Sequence, residues 1–154
     1  MDTDRIEAFE AAKRRSFAQL LIRCGRLVHE RGLALARERL DLPELRAAHL
    51  DLMPHIPFAG IRQTELAASL GVSKQAVGQL VTDLVARDVL VLAPDPVDRR
   101  AKLVRFTDRG LELMHRGLGV LGEIEGELRA SLGDTGATEL HRLLLLTNDA
   151  LAAD

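Results

Sequence analysis

Apolar residues recur three and four positions apart through most of this 154-residue chain, the spacing that puts them on one face of an α-helix. In residues 4–39 the stripe is Ile6, Phe9, Phe17, Leu20, Leu21, Cys24, Leu27 and Val28, with Arg and Glu at many of the other positions. One helix of that length cannot bury its stripe within so small a chain, so it is expected to break near Gly32 or to pack against another subunit. Asp41-Leu42-Pro43 reads as the next helix start, because proline is tolerated in a first turn, and that helix is expected to end near Leu52. Pro54, Pro57 and Gly60 make residues 53–61 a loop, with Ile61 a short strand at its end. Towards the C-terminus, Thr107 is placed to cap a helix and Asp108 to complement its dipole. Leu111, Met114, Leu118, Leu121, Ile124, Leu128 and Leu132 then form a second seam. Gly117, Gly119, Gly122 and Gly126 weaken that helix in isolation and permit close helix contact. Gly133-Asp134 predicts a break, and a last helix from about Thr135 carries Leu140, Leu143, Leu144 and Leu151.

Between these end regions the period changes. Residues 63–70 predict a short amphipathic helix with Leu66, Ala67 and Leu70 on one side; Gly71 ends it, since glycine reaches positive φ without a clash. Ser73 opens a second helix by accepting from a first-turn N–H, and Ala76, Val77, Leu80, Val81, Leu84 and Val85 form its buried side. Its outward side is Lys74, Gln75, Gly78, Gln79 and Thr82, then Asp83. Short or bidentate hydrogen-bonding groups near a helix N-terminus suit the base edges of the major groove. Gly78 in mid-helix costs about 1 kcal/mol of propensity relative to Ala, and close backbone approach to a partner accounts for that cost. Residues 89–93 and 102–106 are β-prone runs joined by Pro94-Asp95-Pro96-Val97-Asp98-Arg99-Arg100, a hairpin with a charged tip. A guanidinium there can enter the narrow, electronegative minor groove, and Asp98 can hold the loop by pairing with a nearby Arg.

These residues resemble the winged helix-turn-helix of the MarR family of bacterial transcriptional regulators. The likeness rests on Arg62-Gln-Thr-Glu-Leu-Ala, on Leu70-Gly-Val-Ser-Lys-Gln-Ala-Val, and on Asp95-Pro-Val-Asp-Arg-Arg-Ala-Lys-Leu-Val-Arg-Phe-Thr with Gly110. The resemblance implies a homodimer bound to pseudo-palindromic double-stranded DNA, with Ser73, Lys74, Gln75 and Gln79 toward the major groove and Arg100 in the minor groove. It also implies control of transcription, usually repression relieved by a small organic ligand. Asp88 stands where the family commonly has glycine, Leu92 and Ala93 stand at often basic strand positions, and Gly78 stands where a small hydroxyl residue is usual. The expected fold is mainly α with a small β-hairpin wing. Residues 41–107 form the DNA-binding part, and residues 1–40 and 108–154 a helical dimerisation region continuous with it. The DNA contacts expected are Ser73, Lys74, Gln75, Gly78, Gln79, Thr82, Asp98, Arg99, Arg100 and Lys102.

Composition changes this picture little. The formal charge is −2, yet Lys74, Arg87, Arg99, Arg100, Lys102, Arg105 and Arg109 outnumber the acids of residues 73–109, and the acidity is mostly C-terminal. A basic reading face with an acidic far end orients a protein on a polyanion. The apolar end regions exceed what one copy covers, the mark of an interface; pairing them spaces two reading helices about 34 Å apart. The single cysteine, Cys24, excludes an internal disulfide framework. The acidic start lacks a secretion-signal pattern and no apolar stretch is long enough to cross a bilayer, so a cytoplasmic protein is expected.

Plainer readings compete at each point. The second helix taken alone is an ordinary core helix with a polar face; only the turn and the Asp98-Arg99-Arg100 tip turn it into a reading helix. A winged-helix dimer used as a protein-interaction module without DNA is the rival reading, favoured by the net acidity and by Leu92 and Ala93. A redox regulator acting through Cys24 is a further alternative, although a cysteine on an apolar stripe is commonly inert core. His29, His49, His55, His115 and His141 lack metal-ligand spacing, so no metal or cofactor is expected and surface or capping roles are assigned to them. No catalytic motif emerges, and no enzyme activity is expected.

Overall fold

A computed structural model of the chain describes residues 2–98 and 100–153. Among the described residues six helices and three short strands follow one another: α1 (Thr3–Arg15), α2 (Phe17–Arg39), α3 (Ala47–Leu52), β1 (Ile61–Arg62), α4 (Gln63–Leu70), α5 (Lys74–Ala86), β2 (Leu90–Pro94), β3 (Lys102–Phe106) and α6 (Asp108–Leu151). A 3₁₀ turn, Met53–His55, prolongs α3.

The N-terminal break falls at Ser16, not near Gly32. Ser16 is extended (φ −79°, ψ 111°), and its hydroxyl accepts from the Gln19 N–H to start α2, a cap that competes well against continuing one helix. Gly32 stays helical and buried, where a Cβ would already lie 3.9 Å from Ile124. The Asp41-Leu42-Pro43 start is also corrected. Asp41 turns left-handed at φ 55°, and the loop that follows drives Leu42 and Leu45 into the core. The helix itself begins only at Ala47, where His49 Nδ1 accepts from the Arg46 N–H. His49 therefore does cap, but it is fully buried rather than on the surface.

The helix-turn-helix forms as expected. Gly71 sits at φ 66° and ψ 26° after α4, Ser73 Oγ accepts from Ala76 N at 3.2 Å, and Asp88 takes φ 57° after α5. Val77, Val81 and Leu84 of α5 are buried, whereas Val85 is exposed. The sheet is antiparallel in the order β1-β3-β2. Val104 at its centre pairs with Ile61 on one side and Leu92 on the other and packs in a core with Leu45, Leu52, Leu66, Val77, Val81, Leu84 and Leu90.

Thr107 starts α6 by accepting from Gly110 N at 2.9 Å. At Gly133 (φ 71°, ψ 167°) the helix is kinked, as Gly133-Asp134 predicts. Of the second seam only Ile124 is buried; Leu111, Leu118, Leu121, Leu128 and Leu132 are exposed. The residues that pack inward are instead Leu113, against the main core, and Val120, which meets Leu35 together with Ile124. One neighbouring helix, α2, covers only a narrow strip of α6, so most of the seam stays open. Phe9, Phe17, Leu20 and Leu27 are likewise exposed on α1 and α2. Cys24, expected on a buried stripe, is exposed as well.

Candidate nucleic-acid interface

The first exposed group belongs to α5. Because Ser73 satisfies a first-turn N–H, Lys74 and Gln75 follow directly on the surface, and Gln79 lies one turn further along the same side. Gly78 lies between them with no atom within 4 Å of where a Cβ would stand. Thr82 is exposed, and its hydroxyl donates back to the Gly78 carbonyl at 2.8 Å. That bond occupies its one proton and leaves lone pairs to accept from a partner.

The far half of α5 is tied to the loop ahead of α3 and to α3 itself. Asp83 pairs with Arg46 and lies 3.6 Å from His49 Nε2, and Arg87 pairs with Glu44. Burial first, and then the Arg46 charge, lower the pKa of His49, opposed by Asp83. Arg87 Nε is buried without a hydrogen-bond partner.

The second group is the wing tip between β2 and β3. Asp95 is only 5% exposed although it carries a charge. Its Oδ1 accepts from Val97 N at 2.8 Å and Asp98 N at 3.3 Å, and its Oδ2 accepts from Arg62 Nε at 2.8 Å. The Val97 N–H, followed by the Arg62 guanidinium, holds the Asp95 carboxyl below the usual range, because both favour the charged form. Asp98 in turn accepts from Arg100 N at 3.1 Å and stands 3.8 Å from the Arg62 guanidinium. Arg100 and Lys102 are exposed; Arg99 lies outside the described residues. The bracing assigned to Asp98 is thus shared, and Asp95 carries the closer contact. An Asp whose side chain holds the N–H two residues on is a common turn device, and that signal was present in Asp95-Pro96-Val97.

A cavity of about 410 Å³ opens between α2, α3 and α6 above the end of α5. Its wall is almost wholly apolar, with Val28, Ala36, Leu45, Met53, Leu84, Leu113 and Leu118, and His29 supplies a polar edge. His29 Nδ1 lies 3.6 Å from Asp51. Size and lining are those of a small-molecule pocket. Among the described residues no group of His, Cys, Asp and Glu could hold a metal ion, and no helix is long and apolar enough to cross a membrane.

Several proteins similar to this chain are transcriptional regulators. Residues 48–101, the stretch holding α4, α5 and the wing, match the family model described as MarR family. The HTH-type transcriptional repressor NicR of Pseudomonas putida is 26% identical over 133 residues, 84% of this chain and 80% of NicR. The transcriptional regulator Tm0710 of Thermotoga maritima superposes with a TM-score of 0.69 at 26% identity, covering 88% of this chain and 94% of that one. Over residues 48–101 the chain is similar to the MarR family. A further structure, the transcriptional repressor CouR bound to a 23-mer DNA duplex, has a TM-score of 0.63 at 25% identity and covers 92% of this chain and 94% of its own. These relatives are transcriptional regulators.

Proposed function

We propose that this regulator is a homodimeric repressor that binds a pseudo-palindromic operator and releases it when a small organic ligand occupies the cavity. The observation that carries the reading is the exposed row Lys74, Gln75 and Gln79 behind the Ser73 cap, beside a wing in which Asp98 holds the N–H of the exposed Arg100. Lys donates to guanine O6 and N7 and Gln pairs with adenine. Gly78 lets the helix backbone approach the duplex, Thr82 accepts from it, and Arg99, Arg100 and Lys102 meet the minor groove and its phosphates. Asp98 orients the tip.

Residues 41–107 make up the reading part, and residues 1–40 with 108–154 hold two copies together. The exposed Leu118, Leu121, Leu128, Leu140, Leu143 and Leu144 supply the apolar area that such an interface needs. The cavity lies where those helices meet the reading part, so a mostly apolar ligand with one polar group toward His29 would bias the spacing of the two reading helices. The relative CouR, captured on a duplex, supports the nucleic-acid half of this reading.

Selection of bound fragments from random duplex DNA, followed by a salt titration, tests it. A pseudo-palindromic motif whose affinity falls steeply with salt is expected. A chain that sediments as a monomer, or that enriches no duplex, is not a dimeric repressor, and the latter result favours the protein-interaction alternative.

A further inference from the structure

We infer that Arg62 and Asp95 are positioning residues for the minor-groove contact, forming a clasp across the sheet that aims Arg100; this rests on the DNA-binding reading above. Arg62 belongs to β1 and Asp95 directly follows β2, the two outer strands in the order β1-β3-β2. Their side chains meet although the strands do not pair. Arg62 Nε and Nη2 both reach Asp95 Oδ2, at 2.8 and 2.5 Å.

From there a relay of contacts leads to the tip. The other oxygen of Asp95 holds the N–H groups of Val97 and Asp98, and the Asp98 carboxylate holds the N–H of Arg100. Two ladder bonds, Asp95 N to Ala101 O at 3.1 Å and Ala101 N to Asp98 O at 2.8 Å, close the turn behind it. A hairpin tip without such anchors samples many directions, and ordering it on binding weakens affinity. A carboxylate as buried as Asp95 must keep its donors or disrupt its surroundings, so the clasp is the element that holds the turn in one conformation. Neither residue needs to touch nucleic acid; both act through Arg100.

The test measures affinity of the full-length protein for its selected operator in Arg62→Gln, Asp95→Asn, Arg100→Ala and Gln79→Ala, and in Asp95→Asn combined with each of the last two. Each clasp variant is expected to bind about tenfold more weakly, the scale of one lost charge-assisted contact. Adding Arg100→Ala to Asp95→Asn is expected to cost little more, while adding Gln79→Ala multiplies its full effect, since residues acting as a unit are not additive and distant ones are. A merely structural role would make both combinations alike. Full multiplication of the Arg100→Ala loss on the Asp95→Asn background, or wild-type binding by Asp95→Asn, overturns the inference. A gain in affinity for Asp95→Asn also overturns it, by showing that Arg62 contacts phosphate directly once released. Should Asp95→Asn fail to fold, Arg62→Lys is carried through the same combinations; it keeps the charge but not the two-pronged contact. If the unaltered protein binds no selected duplex, the DNA-binding reading itself fails, an outcome distinct from an additive cycle.

Discussion

Replacing Gly78 by alanine should raise the stability of the protein and lower its affinity for DNA. Gly78 is helical, and a Cβ built there meets no atom within 4 Å, so nothing opposes the usual gain from glycine to alanine in a helix interior of about 0.8–1 kcal/mol. For a chain of this size that corresponds to a melting temperature higher by about 2–4 °C. The same methyl would point outward between Gln75 and Gln79, and at a surface in close contact with a duplex an extra methyl costs about 1–3 kcal/mol, roughly a fivefold to 150-fold loss. Gly110→Ala is the internal control of opposite sign. There the Cβ would lie 2.0 Å from the Val89 carbonyl oxygen, a backbone atom that cannot move aside, so a destabilisation of at least about 1–3 kcal/mol is expected. Thermal melts of the unliganded protein and fluorescence anisotropy with the selected operator read the two effects separately. Unchanged or tighter DNA binding by Gly78→Ala would refute the idea that glycine is present there for close approach. A lower melting temperature would refute the reasoning about helix propensity.

Arg100→Ala should weaken operator binding, leave the sedimentation behaviour unchanged, and reduce the slope of log affinity against log salt by about one; an unchanged slope removes Arg100 from the contact. Leu84 is fully buried in the core and lines the cavity, so Leu84→Ala should cost about 2–5 kcal/mol in urea unfolding. His49 has a folded pKa below its ordinary value of 6.5, set by burial and by Arg46 against Asp83. The unfolded chain then takes up the proton first, so stability should be complete above pH 6.5 and decline as pH falls from 6.5 toward the lowered folded value. Urea midpoints measured across that window should fall in the wild type and fall less in His49→Gln; parallel curves would discount the histidine.

The parts of this structure that are legible in the sequence are those whose causes lie a few residues apart. Gly71 beside Ser73 marks the turn, Thr107 three residues before Gly110 marks the start of α6, and Asp88 tolerates the left-handed conformation that the end of α5 requires. What escaped sequence reasoning depends on contacts between distant segments. Ser16 and Gly32 both look like break points, but the break falls at Ser16, while Gly32 stays helical and buried. Pro43 suggests a first turn, yet burial of Leu42 and Leu45 holds that stretch as a loop. In the α6 seam, the period identifies the helix but not the strip that α2 covers, so Leu113 and Val120 were passed over. The Arg62–Asp95 pair spans 33 positions, and Asp98 was the nearer guess for a brace. For the exposed row on α5 the reverse holds, because which groups face outward follows from the buried side alone.

A single hydroxyl couples the exit of α5 to the root of α6. Thr107 Oγ1 donates to the Asp88 carbonyl at 2.6 Å while accepting from Gly110 N at 2.9 Å, so one side chain ties the two segments together. The stretch of α6 ahead of its kink at Gly133 is about 37 Å long at 1.5 Å per residue, which makes it a lever arm. Pivoting at its far end by about five degrees would swing the rooted end by about 3 Å, close to the 3.4 Å step between stacked bases. If the protein reads DNA as proposed, angular play of a few degrees in the shaft would thereby be geared up to a whole register on the duplex.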